Sequence, residues 1–461
     1  MEDTICAIST AQGNAGIGII RMSGNDCFKV LDNIFRLKDL KHLSIDNIKG
    51  YTIKYGFIVD DSENKIDEVL VSFFVNPKSY TRENMVEINS HGGSVVEQII
   101  LERCLSKGAR LAEPGEFTKR AFLNGRIDLA QAEGIIDIIN SKTKMEEKAS
   151  VNQLEGFLSE KIHEVEKDLL NVMADIEASI DYPEYDEVDI TNNNINNSLN
   201  LVEEKLNTLV KSFDSGRIIK EGIKTVIIGK PNVGKSSLLN KILKTDRAIV
   251  SSIEGTTRDT IEEFITINGI PVNIIDTAGI RKTRDEIEKI GVEKAINISN
   301  DAELILSIFD VSSELSEDDY KILELIKDKN AVVIFNKIDL KSQSEEDLLK
   351  RVNEIDKPYV KISAMTGEGI DELYGIIEKL FKLNDFEDGR NIVITNIRHK
   401  NEIEKALNNI NKARESLENN MTVDIVAINI KEALNCLANI TGENVSEDII
   451  NEIFSKFCLG K

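Results

Sequence analysis

The apolar run Thr225-Val-Ile-Ile228 passes without a break into Gly229-Lys-Pro-Asn-Val-Gly-Lys-Ser-Ser237, and no other stretch constrains the fold as tightly. A β-type run followed by G-x-x-x-x-G-K-S predicts a strand, a glycine-turned loop and the first turn of a helix. The glycines let successive backbone N–H groups turn toward a β-phosphate, the ammonium of Lys235 reaches the β- and γ-phosphates, and the Ser236 hydroxyl ligates Mg²⁺. A nucleoside triphosphate is the expected ligand.

The surrounding pattern extends that unit into a sheet. Leu304 to Phe309, Ala331 to Phe335 and Tyr359 to Ile362 are apolar runs, each followed by a helix-like segment. Ile261 to Ile267 and Ile270 to Ile275 flank Asn268-Gly269, a pair that favours the left-handed dihedrals of a tight hairpin turn. These features predict a Ras-like, doubly wound, mostly parallel α/β domain over residues 216–383, with its ligand at the carboxyl ends of the strands. Upstream, residues 1–119 mix β-type runs (Thr4 to Ser9, Ile17 to Met22, Val69 to Val75, Met85 to Asn89) with one periodic helix, Ser94 to Lys107. That is a small α+β domain. Long 3.6-periodic stretches such as Gln131 to Ser141, Leu199 to Val210, Asn401 to Glu418 and Asp424 to Asn439 predict an all-α domain in two segments, 120–215 and 384–461. The α/β domain is inserted between them.

Composition suits this multidomain reading, since 461 residues leave room for about three domains and 41% apolar content is enough for real cores. No window approaches a membrane span of about 18 apolar residues, and Met1-Glu-Asp-Thr4 lacks a signal peptide's basic flank, so a cytoplasmic location is expected. Cys6, Cys27, Cys104, Cys436 and Cys458 are scattered without C-x-x-C spacing and read as reduced thiols, and four isolated histidines argue against zinc. With 57 Lys+Arg against 80 Asp+Glu the net charge is -23, which argues against general polyanion affinity and against DNA. One local exception is Lys107, Arg110, Lys119, Arg120 and Arg126 against Glu113 and Glu116, a net of +3. It is a candidate RNA contact, with a solvated helix face as the plainer reading.

Base selection is written at Asn336-Lys-Ile-Asp339, directly after the run ending at Phe335. A carboxylate at Asp339 accepts from both N1–H and the 2-amino group of guanine, donors that adenine lacks, and Ser363-Ala-Met365 would offer a backbone N–H to guanine O6. The ligand is therefore expected to be GTP. Asp276-Thr-Ala-Gly279 supplies a carboxylate behind Mg²⁺ and a γ-phosphate-sensing N–H, while Thr257, in Gly255-Thr-Thr-Arg258, is placed to ligate Mg²⁺. The expected GTP-contacting set runs through Asn232, Val233, Gly234, Lys235, Ser236 and Ser237; Ser251, Ser252, Ile253, Glu254, Gly255, Thr256 and Thr257; Asp276, Thr277, Ala278 and Gly279; Asn336, Lys337 and Asp339; and Ser363, Ala364 and Met365.

Two departures bear on mechanism. Ile280 stands where many small GTPases place a water-orienting glutamine, and an isoleucine cannot hydrogen-bond water, so another residue must position the nucleophile. Acids in Arg281-Lys-Thr-Arg-Asp-Glu-Ile-Glu288 are available, and they also suit a helix cap. Arg258 is the nearest approach to a cis arginine finger. Alternatively, the Asn232 oxygen with main-chain carbonyls from Ser251 to Ile253 would hold a monovalent cation against the phosphates, although asparagine there is also a plain turn-former.

The flanks carry a further pattern: Asp3-Thr-Ile5, Gly16-Ile-Gly-Ile-Ile-Arg21-Met-Ser-Gly24, Tyr80-Thr-Arg-Glu-Asn-Met-Val-Glu87, Gly115-Glu-Phe-Thr-Lys-Arg-Ala-Phe-Leu-Asn-Gly-Arg-Ile-Asp-Leu-Ala-Gln-Ala-Glu133 and Phe457-Cys-Leu-Gly-Lys461. Over essentially the whole chain this resembles the MnmE (TrmE) family of tRNA-modification GTPases. The resemblance implies a GTP hydrolase that acts with the flavoprotein MnmG, as a heterotetramer, to install an aminomethyl-type group at carbon 5 of the wobble uridine of certain tRNAs. It implies a one-carbon unit from 5,10-methylene- or 5-formyl-tetrahydrofolate bound by the N-terminal domain, a homodimer through that domain, and G domains that pair in trans. It also implies K⁺ at Asn232, Ser251, Ile253 and Thr256, catalytic roles for Lys235 and Thr257, a water-positioning glutamate at Glu288, and folate contacts at Arg21, Glu87, Arg126 and Lys461. A pterin's N–H and amino pair suits a carboxylate such as Glu87, and a glutamate tail suits cations. Position 126 is often lysine in the family, and the terminal motif usually has isoleucine where Leu459 stands. The competing reading is an Era-like RNA-assembly switch without modification chemistry, for which the chain lacks a recognisable appended RNA-binding module.

Overall fold

The computed structural model describes residues 3–11, 13–181, 188–245, 263–267, 269–275, 300, 302–381, 393–419 and 421–461. They form two compact units: Met1–Ile136 with Gln153–Glu166 and Lys431–Lys461, and Asp137–Asn152 with Lys167–Ile430. Among the described residues no helix is long and apolar enough to cross a membrane.

The first unit is built on a seven-stranded sheet of β1 (Ile5–Ile8), β2 (Gly18–Ser23), β3 (Phe35–Leu37), β4 (Thr52–Val59), β5 (Lys65–Phe74), β6 (Met85–Ser90) and β7 (Arg110–Leu111), in the order β3-β4-β5-β6-β2-β1-β7. Neighbours are antiparallel except β1 and β7. Helices α1 (Cys27–Ile34) and α2 (Ser94–Ser106) share a core with the sheet's inward residues, among them Ile20, Met22, Val71, Phe73, Val86 and Ile88. Because strand side chains alternate, burying Ile20 and Met22 turns Arg21 to the other face, where the register sets it opposite Glu87.

The expected strands and the helix near Ser94 are present, but the expectation of a single helix in this region is corrected by α1. At eight residues it is too short to declare a period. Strand β4 was also not foreseen, because Ile53 and Tyr55 occupy its solvent side and blur the polar alternation.

Helix α3 (Glu116–Leu123) packs with α4 (Leu129–Asn140) and a C-terminal helix over Ala121, Leu129, Ala132, Phe454 and Phe457. Beside that core Arg120 is fully buried and pairs with Asp3 (2.7 Å), Glu116 (3.1 Å) and Glu83 (3.2 Å). Arg120→Ala would leave Glu83 desolvated without a counter-charge and Glu116 with Arg110 alone. The expected cost is about 3–5 kcal/mol to the first unit, read as faster amide exchange in β1 and β2. Wild-type exchange rates in the variant would refute it.

The second unit contains α5 (Lys144–Leu154), most of α6 (Phe157–Asp181), α7 (Val188–Lys211), α8 (Phe213–Glu221) and the second sheet. In α7 the residues Ile195, Leu199, Val202, Leu206 and Leu209 recur at steps of three and four and are all buried, so the apolar stripe was legible. The sheet comprises β8 (Ile223–Ile228), β9 (Glu263–Ile267), β10 (Ile270–Ile274), β11 (Leu304–Asp310), β12 (Ala331–Asn336) and β13 (Tyr359–Ile362), in the order β13-β12-β11-β8-β10-β9. All pairs are parallel except β9 with β10, where Ile267 faces Ile270 and Gly269 has φ +85°. This is the Ras-like insert foreseen from the sequence. Helices α9 (Lys235–Thr245), α10 (Glu317–Ile326), α11 (Glu345–Glu354) and α12 (Ile370–Phe381) follow β8, β11, β12 and β13 in turn. The remaining helices are α13 (Ile397–Glu418) in the second unit, α14 (Val423–Thr441), which starts in the second unit and ends in the first, and α15 (Glu447–Ser455) in the first.

Candidate functional site

The carboxyl ends of β8, β11, β12 and β13 lie side by side, so Gly229, Asp310, Asn336 and Ser363 gather at one edge of the second sheet. The phosphate loop leaves β8 there and turns through Asn232 at φ +63° and Gly234 at φ +104° into α9. Gly229 and Gly234 are both required by close approach. A Cβ on Gly229 would come 2.6 Å from the Ile308 carbonyl oxygen, and one on Gly234 would come 2.2 Å from Asn336 Nδ2. Lys235 Nζ donates to the carbonyls of Gly229 (2.6 Å) and Lys230 (2.8 Å), which closes the loop around its ammonium. Val233 is buried, whereas Asn232, Ser236 and Ser237 are exposed. The N-terminal N–H groups and positive end of α9, with these two hydroxyls and the Lys235 ammonium, fit a polyphosphate and its Mg²⁺. Asn232 adopts a left-handed turn conformation and is at the surface, which suits the turn-former reading and leaves its side-chain oxygen accessible to a cation.

The base-selecting segments are placed next to this loop. Asn336 is buried, and its side chain is a brace: Nδ2 donates to the Val233 carbonyl (2.6 Å) while Oδ1 accepts from the Ala364 N–H (2.9 Å). It therefore serves the nucleotide by holding the phosphate loop against the base loop. Lys337, at φ +69°, pairs through Nζ with Asp310 at 2.6 Å. Burial pushes the Asp310 carboxyl up, but hydrogen bonds from Lys337 and Ser312 outweigh it and hold the group below the usual carboxylate range. Asp339 is exposed in the turn that follows, and Met365 is largely exposed beyond buried Ser363 and Ala364.

Sequence reasoning missed Asp310, and it missed Asp319, which accepts from Lys230 Nζ at 2.8 Å and caps α10 through Ser316. The Ser316-x-x-Asp319 spacing was the available signal. Ser251, Ser252, Ile253, Glu254, Gly255, Thr256, Thr257 and Arg258 lie outside the described residues, as do Asp276, Thr277, Ala278, Gly279, Ile280 and Glu288.

A second cluster occupies the first unit. Arg21 contacts Glu87 at 2.8 Å across β2 and β6 and donates to the Gly460 carbonyl at 3.3 Å. The C-terminal segment is held there by Phe117 N–H on the Lys461 carbonyl (3.1 Å) and Ser9 Oγ on the Gly460 carbonyl (3.0 Å). Gly460, at φ +86°, lies so close to β1 that a Cβ would meet the Ile8 carbonyl oxygen at 2.3 Å. Burial pushes the Lys461 ammonium pKa down, and Arg21 adds to the effect. Arg126 Cζ sits 4.6 Å from the Tyr80 ring centroid, and Arg21 Cζ sits 5.3 Å from the same centroid. Arg21, Glu87, Arg126 and Lys461, remote in the chain, are thus brought together. A carboxylate beside several cations fits a ligand with an amide-like donor edge and an anionic tail. Cys458 is exposed, Cys436 is half-buried, Cys6, Cys27 and Cys104 are buried, and all five are free thiols.

The basic stretch 107–126 is not a free patch. Lys107 pairs with Asp61 (2.7 Å), Arg110 with Asp3 (2.8 Å) and Glu116 (2.6 Å), and Arg120 with the acids named above. Lys119 donates to Asn451 at 2.7 Å. The local count of +3 overstates the charge left unpaired, because Asp3, Asp61 and Glu83 join Glu116 as partners from outside the stretch, while Arg126 pairs with no carboxylate among the described residues.

Comparison with known proteins gives two family matches: the GTP-binding protein TrmE N-terminus over residues 4–126 and the MnmE helical domain over residues 129–458. A protein named tRNA modification GTPase MnmE from Acetivibrio thermocellus is 51% identical, covering 100% of this chain and 99% of its own. Those of the same name from Clostridioides difficile and Carboxydothermus hydrogenoformans are each 48% identical, with both chains covered in full. The solved G domain of the T. maritima FeoB iron transporter matches 34% of this chain and 97% of its own at 26% identity, with a TM-score of 0.25. The fold assignment rests instead on the strand order.

Proposed function

This chain belongs to the MnmE (TrmE) family of tRNA-modification GTPases, and we propose on that premise that it hydrolyses GTP to GDP and phosphate in the service of tRNA modification. The hydrolysis is coupled, with MnmG, to addition of an aminomethyl or carboxymethylaminomethyl group at carbon 5 of the wobble uridine. One observation carries the nucleotide half of this reading: buried Asn336 ties Val233 of the phosphate loop to Ala364 of the base loop, with Asp339 left exposed beside them.

Lys235 and the N-terminus of α9 bind the β- and γ-phosphates, and Asp339 selects guanine. Ser236 and Thr257 are the proposed Mg²⁺ ligands, and Asn232 with Ser251, Ile253 and Thr256 the proposed K⁺ ligands. The two cations, when bound, supply positive charge where negative charge builds on the transferring phosphoryl group. Glu288 orients the attacking water, since Ile280 cannot. In the first unit Glu87 takes the donor edge of a tetrahydrofolate carrying the one-carbon unit, and Arg21, Arg126 and Lys461 take its anionic tail. The protein works as a homodimer.

The test is mass spectrometry of wobble nucleosides from a deletion strain complemented with wild type or Glu288→Ala. Wild type is expected to restore the modified uridine, and the variant to leave most of it unmodified. Full restoration by the variant would break the link between hydrolysis and modification.

A further inference from the structure

Tyr80 has no role in the site as proposed, yet it touches both of that site's arginines. Arg126 donates from Nη1 to the Tyr80 carbonyl at 3.2 Å and lies 4.6 Å from its ring centroid. Among the described residues no carboxylate pairs with Arg126, so Tyr80 supplies its observed contacts. Arg21 lies 5.3 Å from the same centroid and 5.7 Å from that of Phe117, which is fully buried.

The ring itself cannot drift. Its hydroxyl is 2.8 Å from Oγ1 of buried Thr118 on α3. The next residue, Thr81, is also buried; its hydroxyl is 2.6 Å from that of Ser23, and its carbonyl accepts from Asn124 Nδ2 at 2.6 Å. Arg82 follows in the left-handed region at φ +56°, and its Nη1 donates to the Asn124 carbonyl at 2.9 Å. The aromatic face is thus pinned to the sheet through Ser23 and to helix α3 through Thr118.

Two guanidinium groups this close repel each other, and Lys461 adds a third cation whose ammonium is already disfavoured by burial and by Arg21. A shared aromatic ring attracts both guanidiniums and helps set their separation before a ligand arrives. We infer that Tyr80 is a positioning residue of the N-terminal site: a rigid platform that presents Arg21 and Arg126 at a fixed spacing to an anionic ligand. As regards the ligand's identity, the inference rests on the tetrahydrofolate reading above. The platform itself does not.

Two measurements on the full chain separate these claims, using Tyr80→Ala and Tyr80→Phe. Phenylglyoxal labelling without ligand, read by peptide mass spectrometry, reports how tightly each guanidinium is held. Tyr80→Ala should raise the labelling rates of Arg21 and Arg126 about three-fold or more, and Tyr80→Phe, which keeps the ring, should leave them near wild type. Calorimetric titration with 5-formyltetrahydrofolate should show affinity about ten-fold weaker in Tyr80→Ala and within two- to three-fold of wild type in Tyr80→Phe. Unchanged labelling in Tyr80→Ala overturns the platform. Equal losses in the two variants overturn it too, by assigning the effect to the hydroxyl and Thr118. Raised labelling with no heat from the wild-type titration removes the folate reading while supporting the platform.

Discussion

Lys235→Ala should lower kcat/KM for GTP by about a thousand-fold or more, on the order of 4 kcal/mol of transition-state stabilisation. The ammonium is lodged inside the phosphate loop, donating to the carbonyls of Gly229 and Lys230, at the entrance to α9. In the proposed nucleotide complex its charge faces the β- and γ-phosphates, where negative charge shifts during phosphoryl transfer, so its loss weakens the transition state more than the ground state. Alanine also leaves the two carbonyls turned inward without a donor, which loosens the loop itself. Lys235→Arg restores the charge but not the fit, because a planar fork cannot occupy a pocket closed around a compact ammonium. It should recover only a small part of the loss. The measurement is single-turnover phosphate release at saturating nucleotide beside an affinity titration with a fluorescent GDP analogue. Turnover within ten-fold of wild type in Lys235→Ala would refute the assignment.

Asp339→Asn should weaken GTP about a hundred- to a thousand-fold and create affinity for xanthosine triphosphate. A carboxylate accepts two hydrogen bonds from guanine N1–H and the 2-amino group, and charge-assisted bonds of this kind are worth about 1.5–3 kcal/mol each. Asparagine accepts one of them and sets an N–H against the 2-amino group. Xanthine carries a carbonyl there and can accept that N–H, so the base preference inverts. Asp339 is exposed in the turn after β12, while Asn336 is buried in the brace between Val233 and Ala364. The substitution therefore changes recognition without releasing the phosphate loop. Competition of both triphosphates against a fluorescent GDP analogue reads the switch. A variant that weakens both nucleotides equally would show that residue 339 supports the loop and does not read the base.

The two sites differ in how far they could be read from the chain. The phosphate loop and the segments at Asn336 and Ser363 stand out in the chain because phosphate and guanine chemistry demands given residue types within a few positions of each other, each at the end of an apolar run. The same reading treated Asn336 as one member of the base-recognition motif. Only the packed structure shows its amide spent on Val233 and Ala364. In the first unit, Arg21, Glu87, Arg126 and Lys461 were drawn together by family resemblance, and no spacing in the chain predicts their meeting. Register does it: burying Ile20 and Met22 sends Arg21 to the face where β6 presents Glu87, and the tail is held beside β1 at Gly460. Tyr80 lies within one of the family-like motifs, and only the fold shows it bridging two of the four. The charge of the stretch 107–126 was misjudged for the matching reason, since Asp3, Asp61 and Glu83 pair with Arg110, Lys107 and Arg120 from distant positions.

The sequence by itself therefore determined the elements with strong periodicity, the Ras-like insert and the phosphate and base motifs, because those depend on local dihedral preferences, side-chain period and short-range chemistry. Tertiary structure alone decided which charges remain available and which are consumed. A charge is paired or free according to what packs against it, and that is fixed by strand register and helix docking between residues a hundred or more positions apart, as Arg120 with Asp3 and Arg21 with Gly460 show.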